Sequence, residues 1–167
     1  LNIVLFMEVI MDYIELAKAN EDLCIEMRRE LHKIPELELE LPKTVAYVKS
    51  KLDDFGIEYK EYVNGNGLSA LIEGSEAGKC LAIRADMDAL PVAEETGLEF
   101  ASTHPGKMHA WGHDSHTAIA LTAAKILNEK KDKLKGSVKF IFQPGEEIPG
   151  GAKPMIDEGV LENPKVD

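Results

Sequence analysis

Two apolar segments of strand character, Lys79 to Ala85 and Ser137 to Phe142, each run directly into a pair of acidic residues. The first continues as Asp86-Met87-Asp88-Ala89-Leu90-Pro91, the second as Gln143-Pro144-Gly145-Glu146-Glu147. A helical pattern lies between them, with Ala118, Ala120, Leu121, Ala124, Ile126 and Leu127 at helical spacing. Strands alternating with helices make a layered α/β domain, a central mixed sheet with helices on both faces. In such sheets ligands bind beyond the carboxyl ends of the strands, which is where both acidic pairs fall. Spacing by two predicts that Asp86 and Asp88 point to one side of an extended segment. Adjacent residues point opposite ways, so Glu146 and Glu147 are expected to have different jobs, one binding a metal and the other facing a water.

The stretch that enters the helix is Met108-His109-Ala110-Trp111-Gly112-His113-Asp114-Ser115-His116-Thr117-Ala118. Three of the five histidines of the chain lie in it. They are expected on a loop leading into the first turn of a helix that runs from about Ser115 to Lys131, with Asp114 or Ser115 as possible caps. Imidazole nitrogen beside carboxylate oxygen suits zinc, manganese or cobalt.

The rest of the chain fills in the layers. Met11 to Ile34 reads as one amphipathic helix stopped by Pro35, with His32 as a surface or supporting histidine near its end. Thr44 to Phe55 is a second helix closed by Gly56. Ile57 to Val63 and Leu68 to Glu73 are strands around an Asn64-Gly65-Asn66-Gly67 turn, and Gly74 to Gly78 is a further turn. Val92 to Gly106 is a long loop, Ala152 to Glu158 a short helix, and Pro164-Lys165-Val166 opens another strand, leaving an exposed strand edge near the C-terminus. Residues 1–10 are apolar but too short to span a bilayer, and lack the basic front of a signal peptide. They are expected to be an extension, and 11–167 the fold proper.

A net charge of −11 argues against nucleic acid and anionic membrane surfaces as partners. Cys24 and Cys80 sit in apolar surroundings and read as core thiols of a reducing, cytoplasmic compartment. No glycine-rich phosphate loop and no Gly-x-Ser-x-Gly elbow is present.

Six segments in order resemble the metal-dependent amidohydrolases of the aminoacylase/carboxypeptidase family, which includes indole-acetyl-amino-acid hydrolases, hippurate hydrolase and N-acetyldiaminopimelate deacetylase. They are Arg28-Arg29-Glu30-Leu31-His32 with Pro35-Glu36, Ile83 to Pro91, Glu94-Glu95-Thr96-Gly97, Met108 to Ala118, Phe142 to Glu147, and Gly150 to Ile156. The resemblance implies the N-terminal part of a zinc-exopeptidase-like catalytic domain. It implies a two-metal site, zinc or manganese with cobalt possible, hydrolysing the amide bond of an N-acyl amino acid or small peptide. By position His113 and Glu147 are metal ligands and Glu146 is the general base. Asp86 and Asp88 lie beside the site, one of them a catalytic or orienting acid, and His116, Asp114 and His109 are supporting residues. The sequence departs from the family at Trp111, where the family has a cysteine thiolate ligand. Indole nitrogen has no lone pair for a metal, and the bulk of the ring is expected to fill part of the site. A family member that no longer catalyses is the alternative reading.

Overall fold

The computed structural model describes residues 12–148 and 150–167. The expected extension, 1–10, lies outside the described residues.

Residues 12–19 are helical (α1), and a second helix, α2, spans Glu21–His32. The single helix expected over 11–34 is thus broken at Asn20, whose backbone leaves the helical region and whose side-chain amide donates to the Leu16 carbonyl at 2.8 Å. Asparagine competes for its own backbone in this way, and a periodicity of apolar residues does not register it. Glu21 and Asp22 in the first turn of α2, and Arg29 and His32 in the last, complement the helix dipole. Helix α3, Pro42–Asp54, begins on a proline, whose missing N–H would have no partner there. Glu36 caps it from outside: its carboxylate accepts the N–H groups of Lys43 and Thr44 and the Thr44 hydroxyl.

Four strands follow: β1 (Tyr59–Tyr62), β2 (Gly67–Glu73), β3 (Glu76–Asp86) and β4 (Lys135–Gln143), in sheet order β1-β2-β4-β3. Strand β4 lies antiparallel to β2 and parallel to β3. Between β3 and β4 the chain crosses over through helix α4, His113–Glu129. Because β3 and β4 are parallel neighbours, their carboxyl ends lie side by side, with Asp86 opposite Gln143. The returning helix starts at that same end of the sheet, where the Thr117 hydroxyl donates to the Asp86 carbonyl at 2.9 Å.

Alternating residues of β4 serve two cores. Phe140 and Phe142 join Leu68, Ala70 and Ile72 of β2 against Met27, Leu31, Val48, Leu52, Ala118 and Leu121 of α2, α3 and α4. Ile141 faces the other way, with Tyr62, Met155 of the short helix α5 (Ala152–Asp157), and Val160. Helices therefore cover both faces, as expected. The strand expected to open at Pro164-Lys165-Val166 does not form: Pro164 and Lys165 continue a run of turns, and β1 and β3 are the edges of the sheet, with β4 internal. The Asp167 N–H donates to the Cys80 carbonyl of β3 at 3.0 Å.

Lys139 is buried on the α5 side, and its ammonium donates to the carbonyls of Val160, Glu162 and Pro164 at 2.8–2.9 Å. Lys139→Met removes the only charge these bonds share and leaves the carbonyls without their donor. It should lower the unfolding free energy by about 1–3 kcal/mol in urea titrations.

Candidate metal centre

The centre is assembled where β3 and β4 end. The ladder continues one residue past β3, since the Met87 N–H donates to the Gln143 carbonyl at 2.9 Å. The chain after β4 then bends at Gly145, whose φ of +62° is one that L side chains rarely adopt, and where a Cβ would come within 2.7 Å of Leu39 Cδ2. The bend presents the N–H groups of Glu146 and Glu147 to the Asp88 carboxylate at 2.9 and 3.0 Å. One carboxylate thus clasps both strand ends. It also corrects an expectation: 146–147 is bent rather than extended, and both glutamate side chains approach the same imidazole.

That imidazole is His113, the first residue of α4 and only 6% exposed. The helix therefore starts two residues before Ser115, with Gly112 in the capping position at φ +90° and neither Asp114 nor Ser115 acting as the cap. His113 Nδ1 lies 2.8 Å from the Asp88 carbonyl. A carbonyl only accepts, so Nδ1 holds a proton in either charge state, and in the neutral ring Nε2 presents a lone pair. Around Nε2 stand Asp86 Oδ1 at 3.7 Å, Glu147 Oε1 at 3.7 Å and Glu146 Oε2 at 4.0 Å. These distances exceed hydrogen-bond length. They resemble the spacing of atoms that share one cation, since donors about 2.1 Å from a tetrahedral ion lie roughly 3.4 Å apart.

The electrostatics agree with the donor spacing. Burial opposes charge on His113, but its hydrogen bonds to Asp88 and the charges of Asp86 and Asp88 outweigh it and raise its pKa from 6.5 to about 8. Burial likewise opposes charge on Asp88, yet the hydrogen bonds from His113 and the Glu146 and Glu147 amides hold its pKa below the usual carboxylate value. A field that favours positive charge at this imidazole also favours a cation, and the nitrogen and oxygen donors fit a divalent one.

The supporting residues divide into three sets. His116 Nδ1–H donates to Asp86 Oδ1 at 2.7 Å, while Arg84 pairs with Asp86 Oδ2 at 3.0 Å. Asp114 turns away from the cluster. Its Oδ2 accepts from His32 Nδ1 at 2.7 Å and from Arg28 Nε at 2.8 Å. The other His32 nitrogen faces Glu94 at 3.2 Å, and Glu94 is held by the Thr96 hydroxyl and the Ser102 N–H. His32 is therefore a buried link between α2, α4 and the long loop, and not a surface residue. His109 is buried, among the described residues neither of its ring nitrogens has a partner, and burial pulls its pKa down to about 4. Trp111 is 74% exposed, and it borders the small cavity formed with Asp88, His113 and Glu147 without being buried in it.

All five residues singled out by sequence, Asp86, Asp88, His113, Glu146 and Glu147, thus meet at one end of the sheet. Sequence reasoning passed over Arg84 and Glu94, although both lie inside the motif segments. Charged residues beside acidic ones in a motif were the available signal.

An α/β sheet with imidazole and carboxylate donors converging beyond its strand ends defines a domain of the metallopeptidase class. The profile of peptidase family M20/M25/M40 matches residues 82–167, and the chain belongs to that family. It is 46% identical over 138 residues to an N-acetyl-L-cysteine deacetylase of Bacillus subtilis, covering 83% of this chain and 33% of the relative. It is 46% identical over 140 residues to an N-acyl-L-amino acid amidohydrolase of Geobacillus stearothermophilus, covering 83% and 38%. Among solved structures, the Bacillus subtilis YXEP protein, a dinuclear metal-binding peptidase of the M20 family, superposes with a TM-score of 0.82 at 46% identity, covering 86% of this chain and 41% of that one. The chain spans about a third of the length of the curated relatives it matches.

The two perturbed histidines set the pH profile of the cation-free protein. His113 has a folded pKa of about 8 against 6.5, so its contribution is full below 6.5 and is lost as the pH rises through 8. His109 has a folded pKa of about 4, so its contribution is full above 6.5 and is lost as the pH falls towards 4. Stability measured by urea titration should peak near pH 6.5 and fall by about 1–2 kcal/mol towards pH 9. His113→Gln should flatten that alkaline limb.

Proposed function

We propose that this chain is part of a cytoplasmic, divalent-metal-dependent amidohydrolase that cleaves the amide bond of N-acyl amino acids or small peptides. Residues 11–167 would form the N-terminal part of its catalytic domain. The observation that supports this reading best is the free Nε2 of His113, buried and faced by three carboxylates. The names of the relatives supply the substrate class, and a net charge of −11 favours a small molecule over nucleic acid or an anionic membrane. Among the described residues no helix is long and apolar enough to cross a membrane.

In this reading His113 and Glu147 hold the cation. Zinc or manganese suits the mixed nitrogen and oxygen donors, with cobalt a further fit. The bound cation supplies Lewis-acid polarisation of the amide carbonyl and eases ionisation of water. Asp88 keeps Nδ1 of His113 protonated and so keeps Nε2 aimed at the cluster. Asp86, on the Nε2 side, adds negative charge where the cation sits. Glu146 is the more exposed of the two glutamates. It takes a proton from the attacking water at Oε2 and delivers it to the departing amine nitrogen.

Trp111 favours a second reading, a member of the family that binds a cation without turnover, because indole offers no lone pair where the family places a thiolate. The two are separated by loading the chain with zinc or manganese and assaying N-acetyl and N-benzoyl amino acids. Turnover that falls about 10²–10⁴-fold in Glu146→Gln, with cation affinity retained, is the expected result. A loaded chain without turnover supports the second reading, and unchanged turnover in Glu146→Gln refutes the base.

A further inference from the structure

His113 belongs to two groups of potential ligands. One contains Glu146 and Glu147, and the other Asp86 and His116, with the donor atoms of each group lying within 4.8 Å of one another. The proposed function uses the first. The second has no part in that reading beyond the charge of Asp86, yet it is the more rigidly built. His113 and His116 are three residues apart on the first turn of α4, so they project from one side of the helix, and their rings stack at 29° with centroids 5.7 Å apart. Asp86 comes from the end of β3 and is fixed from three directions: by the ladder, by Arg84 on Oδ2, and by His116 on Oδ1. Glu146 and Glu147, by contrast, stand on the loop after β4.

We propose that His116 is a ligand of the cation centre at His113, with Asp86 as the carboxylate shared between the two imidazoles. Asp86 Oδ1 lies 2.7 Å from His116 Nδ1 and 3.7 Å from His113 Nε2. At present a proton occupies the short contact, donated by His116. A divalent cation takes the place of that proton, the neutral ring keeps its one N–H at Nε2 by proton exchange with solvent, and the freed Nδ1 lone pair and the carboxylate oxygen then both face the ion. His116 is 54% exposed along its side chain, so its ring has room to turn towards the ion, giving up part of its stack on His113. The exchange gives the centre a second nitrogen donor. Trp111 gives it none, since its nitrogen has no lone pair. Two imidazoles with a carboxylate make a set suited to zinc, copper or cobalt, and less to the oxygen-preferring manganese.

The inference rests on the reading that a cation binds at His113, and the test separates the two. One equivalent of Cu²⁺ is added to the full chain, and the nitrogens coupled to it are counted by pulsed electron paramagnetic resonance. Zn²⁺ affinity is measured in parallel by competition with a chelator. The parent should show two imidazoles, His116→Gln one, with Zn²⁺ affinity falling at least about 10-fold. Asp86→Asn should weaken Zn²⁺ similarly, and circular dichroism confirms that each variant is folded. One imidazole in the parent, lost in His113→Gln, overturns the role of His116 and leaves the His113 centre standing. A parent signal that His113→Gln does not change overturns both.

Discussion

The Asp88 carboxylate does more to shape this domain end than any other group. It accepts the backbone N–H groups of Glu146 and Glu147, and the main-chain carbonyl of the same residue accepts the proton of His113 Nδ1. Three segments distant in sequence, the end of β3, the bend after β4 and the first turn of α4, are joined through one residue. Without the carboxylate, two amides would lack their acceptor, while the His113 tautomer is held by the backbone carbonyl of the same residue. Its buried side chain keeps its charge because these donors outweigh the desolvation.

A second, separate network supports the first from behind. His113 and Asp114 are consecutive but face opposite ways, one into the carboxylate cluster and the other into the His32, Arg28 and Glu94 assembly. Helix α4 is thereby held at its start from both sides. Such a buried polar assembly contributes little net stability against an apolar replacement, but loss of one member leaves an uncompensated charge. Its effect here is geometric: the first turn of α4 cannot rotate without breaking the Asp114 bonds to α2 and the His113 bond to Asp88.

Much of this was legible in the sequence, because the signals were local and physical. Strand patterns ending in acids, a glycine before a histidine and an apolar helix stripe are each short-range features, and the parallel pairing of β3 with β4 brought them together. What was not legible depended on backbone course or on contacts between distant segments. The bend at Gly145 overrode the alternation that would have separated Glu146 from Glu147. The break at Asn20 came from a side chain bonding its own helix. The burial of His32 required Asp114 and Glu94 to reach it from 82 and 62 residues away. The high exposure of Trp111 also lay beyond any reading of residue size.

The central claim is that Asp88 fixes His113 with Nδ1 protonated and Nε2 available to a cation. Long-range proton–nitrogen correlation spectra of the imidazoles test it directly, on cation-free protein at about pH 9, where the neutral ring dominates. The account predicts the Nδ1–H tautomer for His113. On adding zinc it predicts a large shift of the Nε2 resonance, with the Nδ1 proton retained. An Nε2–H tautomer, or His113 resonances indifferent to zinc, would contradict it.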